Sequence, residues 1–182
     1  MKVTIEQAMA TDVIDGLYEL YLTAFEPLRT RAAARHVLSA EEFGAEMLDK
    51  RIDKYVAWDD DGQPAALTTL ATDLSALPWI SAEYYVARYP EQSARGAVFY
   101  LGYTLVHPTR GGAGIVGGIV ARIARRTQEN AAVCAFDVSS HNGERQIGAI
   151  MASLGRSMSM HVDTVDVQSF HVATFPVDVP VP

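Results

Sequence analysis

Arg110-Gly111-Gly112-Ala113-Gly114 is the run in this chain whose residue types and spacing could do chemistry. Ahead of it, Val98, Tyr100, Leu105 and Val106 lie in an aromatic and β-branched stretch that reads as a strand. Pro108 ends that strand, because it has no N–H to donate to a ladder. Behind the glycines, Ile115, Val116, Ile119, Val120, Ile123 and Ala124 recur at helical spacing, with Arg122, Arg125 and Arg126 mainly on the other face. A strand, a glycine loop and a helix start make an anion site. The first helical N–H groups have no internal partners and carry the positive end of the helix dipole. Glycines let a phosphate approach the backbone with no Cβ in the way, and Arg110 adds a mobile charge at the mouth. The arrangement suits a ligand with a pyrophosphate.

Two patterns fit these residues. Gly112, Gly114 and Gly117 spell G-x-G-x-x-G, and Asp137 stands where the ribose-binding acid of a dinucleotide-binding oxidoreductase would be. Against it, His107 to Arg110 separate strand from glycines, and the unit comes late in a chain of 182 residues. The second pattern is Val106-His107-Pro108-Thr109-Arg110-Gly111-Gly112-Ala113-Gly114-Ile115. It resembles the strand-to-loop signature of the GNAT family of N-acetyltransferases, roughly V-x-P-x-x-R/Q-G-x-G-x-G/A. With Pro108 and Gly114 aligned, Gly111 occupies the R/Q position, Arg110 lies one residue early, and Val116 takes the last small position. The order of elements along the chain favours this second pattern.

The resemblance implies an α/β (α+β) fold with a mixed, mostly antiparallel sheet of six to seven strands, about four flanking helices and a splayed central strand pair. It implies acetyl-CoA or another acyl-CoA as cofactor, its pantetheine arm lying along the main chain of Thr104, Leu105 and Val106. The pyrophosphate would fall to Arg110, Gly111, Gly112, Ala113, Gly114, Ile115 and Val116, with Asn142 a further contact. The implied activity is direct N-acyl transfer to a small-molecule amine in the cytoplasm, with no metal and with a homodimer open to it. The family's usual Glu on the fourth strand falls near Tyr100, and its usual Tyr in the last helix falls at Met151. Both common catalytic side chains are therefore missing. Tyr100 and Glu83 are the candidate catalytic residues; Tyr84, Tyr85, Asp137, His141 and His171 are further candidates. Tyr100 could donate to a leaving thiolate, whereas its unperturbed pKa of about 10 makes it a poor base. The missing pair also leaves open a non-catalytic CoA-binding module.

The elements that must position these residues read in order. The chain length suggests one domain over residues 1–182, with a loose tail at 176–182. Hydrophobic content of 49% and charge content of 20% are those of a soluble globular protein. A net charge of −7 argues against nucleic acid and anionic membrane as partners. The single cysteine, Cys134, reads as a small buried hydrophobe. Lys2–Ile5 reads as a strand, and Thr11 or Asp12 opens a helix to about Phe25. Arg29, Arg31 and Arg35 read as a solvated face or as a basic rim near an anionic cofactor or substrate. Ser39-Ala40-Glu41-Glu42 is a capping box opening a helix to about Asp53. Lys54–Trp58 and Gln63–Leu74 read as a hairpin turned at Asp59-Asp60-Asp61-Gly62. Ser75–Gly96 is either a substrate-binding wall or a short helix near Ser81–Arg88. Ala131–Ser139 is a strand parallel to the first, Arg145–Leu154 a helix capped by Gly155, and Met158–Val162 and Val165–Phe175 the closing strands.

Overall fold

Five strands and five α-helices make up a computed structural model that describes residues 2–34, 37–110, 113–138 and 160–174. They are β1 (Lys2–Glu6), α1 (Thr11–Phe25), α2 (Ala40–Leu48), β2 (Ile52–Trp58), β3 (Pro64–Ala71), α3 (Ala82–Arg88), α4 (Pro90–Ala94), β4 (Val98–Val106), α5 (Ala113–Glu129) and β5 (Val133–Ala135). The strands form one sheet in the order β1-β2-β3-β4-β5. The first three pairings are antiparallel, and β4 pairs with β5 in parallel.

Local chemistry sets most boundaries. Ser39 closes the capping box with Glu42: its Oγ accepts from the Glu42 N–H at 3.2 Å, and Glu42 Oε2 accepts from the Ser39 N–H at 2.8 Å. Pro27 falls in a short 3-10 turn, Glu26–Thr30, that ends α1. Gly62 takes φ +75° in the β2–β3 turn, which a residue with a Cβ resists. Asp59 Oδ1 accepts from the N–H groups of Asp61 (3.0 Å) and Gln63 (2.8 Å) in that turn.

Helices cover both faces of the sheet. On one face Leu17, Leu20 and Tyr21 of α1 and Phe43 and Met47 of α2 pack on Val56, Leu67 and Leu105. On the other, Ile115, Ile119 and Ile123 of α5 pack on Tyr55, Leu70, Phe99 and Leu101. A third cluster joins Ile52, Ala71, Val98 and Tyr100 to Leu74 and Leu77, with Tyr85 and Tyr89 against it.

A bulge interrupts β4. Thr68 pairs with Thr104 and Leu70 with Leu101, so Thr69 opposes both Gly102 and Tyr103. The extra residue resets the alternation: Leu101 faces α5, while Tyr103 and Leu105 face α1 and α2. Gly102 is required there, because a Cβ would lie 2.3 Å from Thr69 Oγ1 on a buried, β-branched neighbour. Gly102→Ala is expected to cost about 1–3 kcal/mol of stability by urea denaturation, and adding Thr69→Ala to recover most of it. A Gly102→Ala protein as stable as the native one would show that β4 shifts freely at the bulge.

Two expectations need correction. The sheet holds five strands among the described residues, where six to seven were expected. Residues 160–174 carry no strand, although Val165–Phe175 reads as one: Val167 is 80% and Val172 90% exposed, so the β-branched pattern has no face to bury. Five helices fall among the described residues because Ser75–Gly96 supplies two short ones, α3 and α4. Asn142, His141, the Arg145–Leu154 helix with Met151, the Gly155 cap and the 176–182 tail lie outside the described residues. No helix of the described residues is long and apolar enough to cross a membrane.

Candidate active site

The loop after β4 is held by His107. Its N–H donates to the Ala65 carbonyl at 2.8 Å, and its Nδ1 accepts from the N–H groups of Thr109 (3.3 Å) and Arg110 (3.2 Å). Nδ1 is therefore the unprotonated ring nitrogen. The exposed Arg110 guanidinium is 3.8 Å from Oδ2 of the half-buried Asp59, a loose ion pair that lets the arginine swing away. Gly111 and Gly112 lie outside the described residues. The helix opens at Ala113, so the free N–H groups of its first turn belong to Ala113, Gly114, Ile115 and Val116. Gly114 is exposed and Ile115 is buried against the sheet. Beside the loop, a cleft of about 570 Å³ runs between α1 and the β2–β3 hairpin and includes Asp12, Glu19 and Arg110.

β4 and β5 part early. Their parallel pairing runs over Val98↔Val133, Phe99↔Cys134 and Tyr100↔Ala135, and stops there. From Leu101 to Val106, β4 is bonded to β3 on one edge and has no strand on the other among the described residues. Thr104, Leu105 and Val106 all lie in this half. The Thr104 hydroxyl accepts from Thr68 Oγ1 at 3.1 Å, and Leu105 is buried.

A side-chain bond takes over where the backbone ladder ends. The Tyr100 hydroxyl donates to Asp137 Oδ1 at 2.5 Å. Burial, then the bond and the charge of Asp137, push the Tyr100 phenol well above its ordinary value. A phenol held this way is a weak acid, so it is poorly suited to protonate a thiolate; its oxygen still accepts. Glu83 is not brought to this point. It is exposed in the first turn of α3, where it accepts from Ser81 Oγ at 3.3 Å. Tyr85, two positions on, faces the Tyr100 cluster, and residues two apart do not share a helix face. Tyr84 packs edge-on against Tyr85 and donates to the Val165 carbonyl at 2.9 Å, so it ties α3 to the 160–174 segment. His171 is exposed in that segment beside Ser169 Oγ, 3.0 Å away. Arg95 is structural: it donates to the carbonyls of Asn130 and Ala131, just past the end of α5.

Sequence reasoning missed a polar cluster on the α2 side of the bulge. Glu46 of α2 is half-buried above Tyr103, Thr69 and Lys54. Burial raises its carboxyl from 4.5 to about 7, against the Tyr103 and Thr69 hydroxyls and the Lys54 charge, with Asp49 adding to the rise. Lys54 is buried and lowered from 10.5 to about 8 by that burial, with Glu46, Asp49 and Asp53 pulling the other way. The sign follows: Glu46 binds its proton more tightly folded than unfolded. It contributes stability below about pH 4.5 that is lost as pH rises to about 7, up to about 3 kcal/mol. Glu46→Gln should flatten that part of the stability–pH curve in urea denaturation. A curve with the native slope would show that water screens Glu46. The signal for this region was Gly102, since a glycine inside a strand marks a bulge or a close approach.

Comparison with solved structures gives the same architecture. An aminoglycoside 6'-N-acetyltransferase from Acinetobacter haemolyticus aligns with a TM-score of 0.51 at 13% identity, covering 96% of this chain and 99% of that one. An acetyltransferase from Clostridium acetobutylicum with acetyl-CoA aligns with a TM-score of 0.55 at 13% identity, covering 93% and 96%. AAC(6')-Iy, in complex with the bisubstrate analogue CoA-S-monomethyl-acetylneamine, aligns at 0.51 and 12% identity, covering 96% and 100%. No family model and no curated protein matches the sequence. The chain thus has the GNAT acetyltransferase fold. That fold removes the dinucleotide reading. A doubly wound nucleotide fold needs a mostly parallel sheet, and here only β4–β5 is parallel among the described strands. Asp137, the expected ribose ligand of that reading, is instead bonded to Tyr100.

Proposed function

We propose that the protein is an N-acyltransferase that moves an acyl group from acetyl-CoA, or another acyl-CoA, directly to a small-molecule amine. The observation that carries this reading is the edge of β4 from Gly102 to Val106, which has no strand beside it among the described residues and opens near the start of α5. An amide-bearing arm fits such an edge, because its amides can meet the unpaired main-chain groups of Thr104, Leu105 and Val106. A pyrophosphate fits the first turn of α5, where Ala113, Gly114, Ile115 and Val116 offer N–H groups and Arg110 a mobile charge. Bound there, the acyl thioester supplies the electrophile. The chain's own residues orient it and the amine, and orientation alone can lower such a barrier by several kcal/mol. Tyr100, fixed by Asp137 at the closed end of the gap, offers its oxygen to an amine N–H.

Thermal unfolding with acetyl-CoA, longer acyl-CoAs, CoA, NADH and NADPH in parallel tests the cofactor. A ligand at 100 times its dissociation constant adds about 2.7 kcal/mol, which a melting curve resolves. Stabilisation by CoA species with turnover of a primary-amine panel supports the reading. Stabilisation without turnover of any amine favours a CoA-binding module. No stabilisation by any CoA species overturns both.

A further inference from the structure

Tyr100 and Tyr103 flank the bulge on one face of the sheet. Ile52, Ala71 and Tyr100 stand in one cross-strand row, and Lys54, Thr69 and the Gly102–Tyr103 step in the next. Each tyrosine has a carboxylate beside it, Asp137 for Tyr100 and Glu46 for Tyr103. The first pair is closed by a short hydrogen bond. The second is open: the Tyr103 hydroxyl is near enough to act on the Glu46 carboxyl, yet it is buried and makes no well-formed hydrogen bond among the described residues. It cannot drift, because its ring packs on Tyr21 (5.0 Å between centroids), Phe25 (5.7 Å) and Phe43 (6.2 Å). Lys54 acts on Glu46 through its charge but gives it no hydrogen bond. Its Nζ donates to the carbonyls of Gln7 (2.9 Å), Asp49 (2.6 Å) and Ile52 (2.7 Å), which uses all three of its hydrogens.

We propose that Glu46 and the Tyr103 hydroxyl form a binding site for a primary ammonium group beside the Gly102 bulge, and that Glu46 takes the proton that makes this ammonium a nucleophile. The assignment rests on the acyltransferase reading for its second half only. An ammonium matches the site's chemistry. It brings donors to a carboxylate and a phenol oxygen that both accept, where Lys54 spends its own three donors on carbonyls. One carboxylate and neutral hydroxyls are too few ligands for a metal ion. The charged and titratable groups facing Glu46 are Lys54 on β2, Tyr103 on β4, Tyr21 on α1 and Asp49 after α2, and a carboxyl raised to about 7 suits a base at neutral pH. In the transfer, one ammonium proton passes to Glu46 and the freed lone pair forms the C–N bond at the thioester carbonyl. The C–S bond breaks with its electron pair on sulfur. A second N–H proton goes to that sulfur, leaving a neutral amide and a thiol, and Glu46 releases its proton to solvent.

The test has a cofactor-free arm and a kinetic arm. In the first, n-butylammonium is titrated into the protein without thioester, following the amide resonances of Met47, Thr69 and Gly102, with n-butanol as the uncharged control. Saturable shifts are expected with n-butylammonium only, weakened at least tenfold in Glu46→Gln and weakened in Tyr103→Phe. No saturable shift, or equal binding by Glu46→Gln, overturns the site. In the second, acetyl transfer to n-butylamine is followed across pH. Glu46→Gln should lower kcat/KM about 100-fold or more and remove the limb near neutral pH, with thermal stabilisation by acetyl-CoA unchanged. Native kcat/KM and pH profile in Glu46→Gln would overturn the base and leave the acyltransferase reading standing. Ammonium binding in a protein that neither binds nor consumes acetyl-CoA would do the reverse, leaving the site and removing that reading.

Discussion

Arg126→Met is expected to cost about 3–5 kcal/mol of stability. Asp53 sits on β2 under α5 with its side chain only 4% exposed, and the Arg126 guanidinium is its ion-pair partner. The same guanidinium donates to the Tyr55 hydroxyl at 3.2 Å and lies 5.7 Å from the centre of the Phe99 ring. Methionine keeps most of the length and apolar contact but leaves a buried carboxylate without its counter-charge, which is the costly step. The check is the urea midpoint of three proteins: native, Arg126→Met, and Arg126→Met with Asp53→Asn. The double variant should recover much of the loss, because it removes the stranded charge. A single variant within about 1 kcal/mol of native would mean that water reaches Asp53, and that α5 is held by its isoleucines alone.

Gly114→Asp should weaken acetyl-CoA binding by about 100-fold or more, about 2.7 kcal/mol, while leaving the fold intact. A Cβ at Gly114 meets no atom within 4 Å, so the new side chain fits without displacing anything. An acid in the first turn of a helix even favours the helix by a few tenths of a kcal/mol. The same carboxylate occupies the place offered to a pyrophosphate and repels it. Calorimetric titration with acetyl-CoA, alongside the melting temperature of the free protein, separates the two effects. Unchanged affinity would show that the pyrophosphate lies elsewhere, and would direct attention to Arg110 and the adjacent cleft.

What could be read from the sequence was what neighbours along the chain decide. The Ser39–Glu42 capping box, the Asp59–Gly62 turn, the helix end near Phe25 and the Ile115-Ile119-Ile123 stripe involve residues within a turn or two of each other, and all took the expected form. Residues whose roles depend on register were hidden. The capping box places Glu42, but nothing in Ala40–Leu48 names the neighbours of Glu46; the β3–β4 register and its bulge bring Thr69 and Tyr103 beside it. Tyr100 and Asp137 each stood out alone, but their union depends on β5 ending at Ala135. Glu83 looked apt beside two tyrosines, until α3 turned Tyr85 inward and left Glu83 in water. The 160–174 segment has strand composition, yet composition supplies no partner edge.

The brevity of the β4–β5 ladder has a consequence for how the molecule breathes. Among the described residues, three cross-strand pairs and one tyrosine–aspartate bond tie β5 to the sheet, whereas β2 and β3 share seven pairs. Fewer bonds must open to expose the amides of Cys134 and Ala135 than those of Val56 and Leu67. Their deuterium exchange should therefore proceed through local detachment, at a free energy well below that of global unfolding. Cys134 is half-buried and burial raises its thiol to about 11, so its alkylation should quicken with those openings and serve as a clock for them. A ligand that bridges the parted strands would slow that clock.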